Sequence, residues 1–145
     1  MPQRPIREVV KRQKIVTTAG KTTVLEAARM MKKAEVGAVM VVKADGKLAG
    51  IFTERDALFR LIAEGRDPAH TRLADVMTAR PQTISPDKPF HHALMMMFEN
   101  GFRHLPVIEN GRPIGMVSAR DALGPELEDI ESEVQRRQRI GEILG

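Results

Sequence analysis

At 145 residues, with no Cys, Trp or Tyr and a formal net charge of +4, the chain can bury a core without cross-links. It can form no disulfide, and a reducing, cytoplasmic setting is expected. The apolar run at residues 38–42 is too short to span a membrane, and the N-terminus leads into charged residues rather than an apolar signal segment.

Residues 1–14 form a basic arm carrying Arg4, Arg7, Lys11, Arg12 and Lys14, with a short helical piece at 6–12. A first unit, 15–65, opens with a strand at 14–18 and the turn Ala19-Gly20-Lys21. From Thr22 the period is helical, with Val24, Ala27, Ala28 and Met31 on one face. The apolar, β-branched run 37–42 predicts a strand, Asp45-Gly46 a hairpin turn, and 48–52 the returning strand. A helix over 57–63 follows, with Gly65 as its C-cap. The linker 66–80 holds one or two helical turns at 73–77. The second unit, 81–124, repeats the order. Thr83-Ile84-Ser85 is a strand, Pro86-Asp87 opens a helix with Phe90, Ala93, Leu94 and Met97 on its apolar face, and strands at 105–108 and 113–117 flank Asn110-Gly111. Residues 125–145 are a final helix, acidic early and basic late, which complements its dipole. Its Leu127, Ile130 and Val134 share one face and Ile140, Ile143 and Leu144 another, so it is expected to dock on this subunit and then reach a partner.

One stretch returns sixty-five residues later: Gly50-Ile51-Phe52-Thr53-Glu54-Arg55-Asp56-Ala57-Leu58 matches Gly115-Met116-Val117-Ser118-Ala119-Arg120-Asp121-Ala122-Leu123. Each copy is a strand running into a helix. Thr53 with Asp56, and Ser118 with Asp121, have the spacing of a capping box with Asp in place of Glu. The same groups suit a ligand, since the first-turn N–H groups and the hydroxyl can donate to a phosphate and the carboxylate can accept from a ribose diol. Of forty-one aligned pairs, eleven are identical, against about two or three for unrelated segments, so the chain is a duplication. The expected fold is mixed α+β: two β-α-β-β-α units bury their open apolar faces against each other about a pseudo-twofold axis.

With that motif in both halves, Arg103-His104-Leu105-Pro106-Val107 before the second hairpin and Thr83-Ile84-Ser85-Pro86-Asp87 opening the second half, the chain resembles the paired cystathionine-β-synthase (CBS) domains, or Bateman modules, over about residues 6–124. The resemblance implies a homodimeric regulatory module with two clefts for adenosine-containing ligands: AMP, ADP, ATP, S-adenosylmethionine or NAD(H). It implies no required cofactor and no catalysis, with output through an unidentified protein target or the dimer's own shape. Carried over by motif, Asp56 and Asp121 hold ribose hydroxyls, Thr53 and Ser118 hold phosphate, and Arg55, Arg103, His104 and Arg120 are further phosphate partners. Adenine lies between segments containing Thr17, Thr18, Val36 and Ala38 in one cleft, and between Gln82-Thr83-Ile84 and Arg103-His104-Leu105, next to Pro106, in the other. The first half departs from the pattern at Ala19-Gly20-Lys21 and Val39-Met40.

Other constellations carry less. His91 and His92 are adjacent and diverge on a helix, so they are not an i, i+4 metal pair, and His70 lies in the linker. No nucleophile, base and orienter assemble from a recognisable motif. Met30, Met31 and Met95-Met96-Met97 fit an adaptable core or interface. Two alternatives stand beside the nucleotide sensor: a nucleic-acid binder using the basic arm, for which the mild charge and lack of Trp and Tyr supply little, and a purely structural dimerisation module.

Overall fold

The structure, a computed structural model, describes residues 3–144, with side chains to residue 142. Met1 and Pro2 of the arm lie outside the described residues, as do the side chains of Ile143 and Leu144, on which a second helix face is expected. The chain begins with α1 (Ile6–Val10), then β1 (Thr17–Ala19) and α2 (Val24–Ala34), capped by the Thr23 hydroxyl, which accepts from the Glu26 N–H. On α2, Val24, Ala27 and Met31 are buried as their spacing predicts, whereas Ala28 is exposed. β2 (Ala38–Val42) and β3 (Leu48–Thr53) form the first hairpin. The helix after it is α3 (Glu54–Asp56), which widens into a π-helical segment, Ala57–Ile62. α4 (Leu73–Val76), β4 (Thr78–Ala79), α5 (Phe90–Asn100), β5 (His104–Glu109), β6 (Arg112–Ser118), a 3-10 turn (Ala119–Asp121) and α6 (Gly124–Leu144) complete the order. Among the described residues no helix is long and apolar enough to cross a membrane.

The two halves share one topology. In the first, β1 runs parallel to β2, β2 antiparallel to β3 and β3 antiparallel to β4. In the second, β5 and β6 pair antiparallel, and Ile84 bridges to Val107 in parallel as Thr18 does to Val41. The ladder irregularity between Val41 and Val42 recurs between Val107 and Ile108. The hairpins meet where the Leu48 N–H donates to the Gly111 carbonyl at 3.0 Å. Each half has its own core, one around Val24, Val39, Val41 and Phe52, the other around Phe90, Leu105, Val107 and Val117.

The sequence does not reveal that the helices ahead of each unit are exchanged. α1 precedes the first unit but inserts Ile6 and Val10 into the second core, while α4 precedes the second and inserts Leu73 and Val76 into the first. The backbone bonds match one for one. Ile6, Arg7 and Phe90 N–H groups donate to Lys88, Pro86 and Arg4 carbonyls; Leu73, Ala74 and Val24 donate to Thr22, Gly20 and Thr71. β4 then pairs with β3, and in the other half the Gln13 amide serves the same edge, donating to the Met116 carbonyl and accepting from its N–H. The basic arm is therefore anchored. Arg7 pairs with Asp87 and Glu109, and Arg4 with Glu126.

In the first half the strand expected at 14–18 is shifted to Thr17–Ala19, and in the second half three expected elements differ. Residues 83–85 supply only the Ile84 bridge. α5 starts at Phe90 because a turn at Ser85, which accepts from the Asp87 and Lys88 N–H groups, precedes it and Pro89 is its extended N-cap. The helix expected from Ser118 is a single 3-10 turn, since Ala122 is extended (ψ 137°) and the chain restarts at Gly124-Pro125. Proline lacks the N–H that a continuing helix needs and favours a first helical turn. The first copy has no proline there and its helix continues.

Candidate functional site

Thr53 ends β3 in extended conformation and caps α3. Its hydroxyl accepts from the Asp56 N–H at 3.2 Å, and Asp56 Oδ2 accepts from the Thr53 N–H at 3.0 Å and lies 3.2 Å from its hydroxyl. The capping box is thus realised, and Asp56 is only 7% exposed. Its other oxygen, Oδ1, has longer contacts, 3.5 Å each to Thr78 Oγ1 and to Arg60 Nε. The Glu54 N–H donates to the Gly37 carbonyl at 3.0 Å. These bonds commit the amides of Glu54 and Asp56 within the protein, so the cradle of first-turn N–H groups expected for a phosphate is largely occupied. Cationic side chains must supply most of the donors.

Those side chains surround a cleft of about 610 Å³. One wall is the first motif: Thr53, Glu54, Arg55 and Asp56, with Leu58 and Phe59 beyond it. The opposite wall comes from the other half, as Phe102, Arg103 and His104, and the linker end Thr78, Arg80, Pro81 and Gln82 closes the side. The first motif therefore faces the second half's segments. Ile84, Leu105 and Pro106 are buried in β5 and beside it, so only backbone groups there can face a ligand. Thr83 is half-buried.

His104 is held below its ordinary pKa chiefly by burial, with Arg120 and Arg103 acting the same way and Glu54 and Asp121 opposing. Glu54 stands between the halves, its carboxylate and His104 Nε2 both crowding Gly37, where an added Cβ would lie 2.9 Å and 3.3 Å from them.

The second motif is built differently. Asp121 Oδ2 accepts from the Ser118 N–H at 2.8 Å, but Asp121 is half-buried and its carbonyl accepts from Arg4 at 2.6 Å. Thr17 and Thr18 lie on β1, Thr18 paired with the Thr22 hydroxyl, and Ala38 is fully buried. Val36 and Arg120 line a separate groove of about 440 Å³ against α2 and the π-helical segment; neither cavity reaches Thr17, Thr18, Ser118 or Asp121.

Sequence reasoning missed Glu54, Phe59, Thr78, Arg80 and Phe102 as cleft residues. Arg80 carried a signal only in hindsight, as a non-glycine residue with φ 48° immediately before Pro81. The others enter through the exchanged linker and the crossing of the halves, which no local pattern marks. Among the described residues no cluster of three His, Asp or Glu is placed to hold a metal.

A family model for the CBS domain matches residues 6–63 and 73–125. The chain is 38% identical over 118 residues to a mitochondrial CBS domain-containing protein of Arabidopsis thaliana, covering 79% of this chain and 57% of that one. It spans about a fifth of several longer relatives. Among solved structures, a CBS-domain-containing protein from Agrobacterium tumefaciens superimposes with a TM-score of 0.74 at 30% identity, covering 81% of this chain and 95% of that one. A CBS domain protein from Pyrobaculum aerophilum, solved in complex with AMP, gives 0.79 at 25% identity, covering 89% and 99%.

Proposed function

The chain belongs to the CBS-domain family, and from that premise we propose that it is a regulatory, non-catalytic module binding an adenosine-containing ligand in the cleft between its first motif and Arg103-His104. The observation that carries this is the 610 Å³ cleft in which a buried Asp56, three arginines and His104 converge from both halves. The likeness to the AMP-bound Pyrobaculum protein supports it. Asp56 Oδ1 accepts from ribose hydroxyls, and Arg55, Arg103 and His104 meet the phosphate; the planar guanidinium fork suits that role. The base lies towards Gln82-Thr83-Ile84 and the Arg103-His104-Leu105 backbone. Ser118, Asp121 and Arg120, with Thr17 and Thr18, form the counterpart for a second ligand. Because the first cleft is walled by both halves, a ligand there favours one arrangement of them in proportion to its differential affinity. Exposed Leu58, Ile62, Leu123 and Leu127 provide apolar surface for a homodimer, and a protein target reads its shape. The nucleic-acid alternative loses Arg4 and Arg7, which are already paired.

A thermal-shift panel of AMP, ADP, ATP, S-adenosylmethionine and NADH tests this. A ligand at about one hundred times its dissociation constant adds about 2.7 kcal/mol, a rise of several degrees in a domain of this size. No shift with any of the five would refute the sensor and leave the structural dimerisation module. Arg103→Gln is expected to weaken the ligand that binds by about ten-fold or more, the loss of a hydrogen bond to a charged group, with the melting temperature of the free protein unchanged because Arg103 is exposed.

A further inference from the structure

We infer that Arg4 is the pin of a clasp that holds the second motif closed and α6 docked, so that a ligand taken up at Ser118 and Asp121 frees α6. This rests on the proposal that the second motif takes a counterpart adenosine ligand, and names the element that such a ligand would move.

One side chain joins three elements. The Arg4 guanidinium makes a two-pronged ion pair with Glu126 on α6, Nε donating to Oε2 at 3.1 Å and Nη2 to Oε1 at 2.8 Å. The same Nη2 donates to the Asp121 carbonyl at 2.6 Å, and the group lies 5.1 Å over the Phe90 ring at the start of α5. Glu126 in turn accepts from the Leu123 N–H at 2.8 Å, closing the first turn of α6. The two side chains are 28% and 18% exposed, so water and salt screen the pair less than a surface one, and a guanidinium fork on a carboxylate is strong and directional.

By contrast, α6 is held shallowly. Among its described side chains only Ile130 is buried, and every described residue beyond Val134 is exposed. Its other polar ties to α5 are the ion pairs of His91 with Glu133 and of Arg137 with Glu99. A helix with so little buried apolar surface belongs to the low-stability end of a fold, from which moving elements are drawn. The anchor at Arg4 then decides whether its first turns stay docked.

The duplication supplies an internal control. The Phe90 N–H donates to the Arg4 carbonyl as the Val24 N–H does to that of Thr71, so Thr71 is the counterpart of Arg4. The offsets that align the halves set Leu61 opposite Glu126 and Val24 opposite Phe90. None of the three clasp residues recurs. Thr71 donates instead to the Asp67 carbonyl, within the linker, at 2.7 Å, and the motif of that half lines an open cavity. A contact needed to fold the unit should be present in both copies, yet this one is confined to the motif that lies outside both cavities. The carbonyl gripped by Arg4 belongs to Asp121, whose carboxylate would take the ribose. A ligand that shifts Asp121 strains the clasp, and by reciprocity the clasp weakens that ligand by the same factor.

The test is double electron–electron resonance on the full chain, with AMP as the probe and calorimetry on the same samples. The chain has no native Cys, so nitroxides at His92→Cys on α5 and Gln135→Cys on α6, diluted into unlabelled chain, report the docking of α6. One narrow distance distribution is expected without ligand. Arg4→Ala, and Glu126→Gln, which keeps the size of the side chain, should broaden it and raise AMP affinity at the second motif about five-fold or more, the lower end of coupling between sites. AMP should broaden it in the otherwise unsubstituted chain only at concentrations that fill the weaker site, a response abolished by Asp121→Asn and kept in Asp56→Asn. Melting curves check the fold of each variant. An unchanged distribution in both Arg4→Ala and Glu126→Gln, AMP bound at the second motif without broadening, or a response that follows Asp56 instead overturns the clasp while leaving the first cleft a nucleotide site. Absence of AMP binding overturns the coupling for this nucleotide, and the flat thermal-shift panel separately removes the reading beneath it.

Discussion

Gly50 and Gly115 open the two motif copies, and in both the exchanged segment lies directly over the glycine. A Cβ at Gly50 would lie 2.7 Å from Met77 Sδ and from the Thr78 carbonyl oxygen; at Gly115 it would lie 2.6 Å from Val10 Cβ. Met77 can swing aside, but the Thr78 carbonyl is backbone and Val10 Cβ is fixed to it, so Gly50→Ala and Gly115→Ala should each cost about 1–3 kcal/mol, the scale of overpacking. Urea unfolding measures it, and a loss below about half a kcal/mol would mean that the segments yield easily. His104 gives a second residue-scale prediction. Burial lowers its folded pKa below the ordinary value near 6.5, so between those two values the unfolded chain binds the extra proton and stability rises with pH. The contribution is complete above about pH 6.5 and is lost as pH falls. Glu126 adds a step at lower pH, because Arg4 and the Leu123 N–H hold its carboxyl below the ordinary range. Its contribution is present above that range and is lost as pH falls through the depressed value. Melting temperature should therefore decline from pH 7 towards pH 5, and His104→Gln should flatten that part of the profile.

Among the elements, the exchanged helices tie the halves together. Ile6 on α1 is fully buried in the second core, so Ile6→Ala should cost about 2–5 kcal/mol. Hydrogen exchange should show lost protection first in α5 and β6. Earlier loss in α2 would contradict the exchange, since Leu73, not Ile6, fills that core. The elements themselves were largely legible in the sequence. Spacing located α2 from Val24, Ala27 and Met31, Asp45-Gly46 and Asn110-Gly111 located both hairpins, and the repeated motif exposed the duplication. Which element packs on which half was not legible. Ile6/Leu73 and Val10/Met77 share apolar character without identity, and the matching bonds of these segments run through the backbone, which sequence comparison does not read. The same limit applied to the candidate site. Thr53 and Asp56 could be read because capping is local. Arg80, Phe59 and Phe102 needed the crossing of the halves and a π-helical register that side-chain spacing does not announce.

Across the whole molecule, the duplication has left its two motifs in unequal surroundings. The first motif opens on a cavity with arginines and two phenylalanines. The second is tied to both ends of the chain: Arg4 donates to the Asp121 carbonyl and to Glu126 on α6, and its guanidinium lies 5.1 Å over the Phe90 ring. α6 is held in turn against α5 by Ile130 and Val134, by His91 with Glu133 at 2.9 Å, and by Arg137 with Glu99. A ligand at the second motif would have to work around these ties, whereas the first motif lines an open cavity between the halves. Binding should therefore be unequal, with one tight adenosine site per chain and any second site weaker by at least ten-fold, a difference of about 1.4 kcal/mol. Asp56→Asn should remove the tight site and Asp121→Asn should leave it. The Asn substitutions keep the size of each side chain while withdrawing its charge, and melting curves separate lost affinity from lost fold at the buried Asp56. Two equal sites in calorimetry, or loss of the tight site in Asp121→Asn, would show that the ties at Arg4 and Glu126 do not govern access. Releasing them is the complementary measurement: Arg4→Ala should speed hydrogen exchange in the first turns of α6 and raise affinity only at the weaker site.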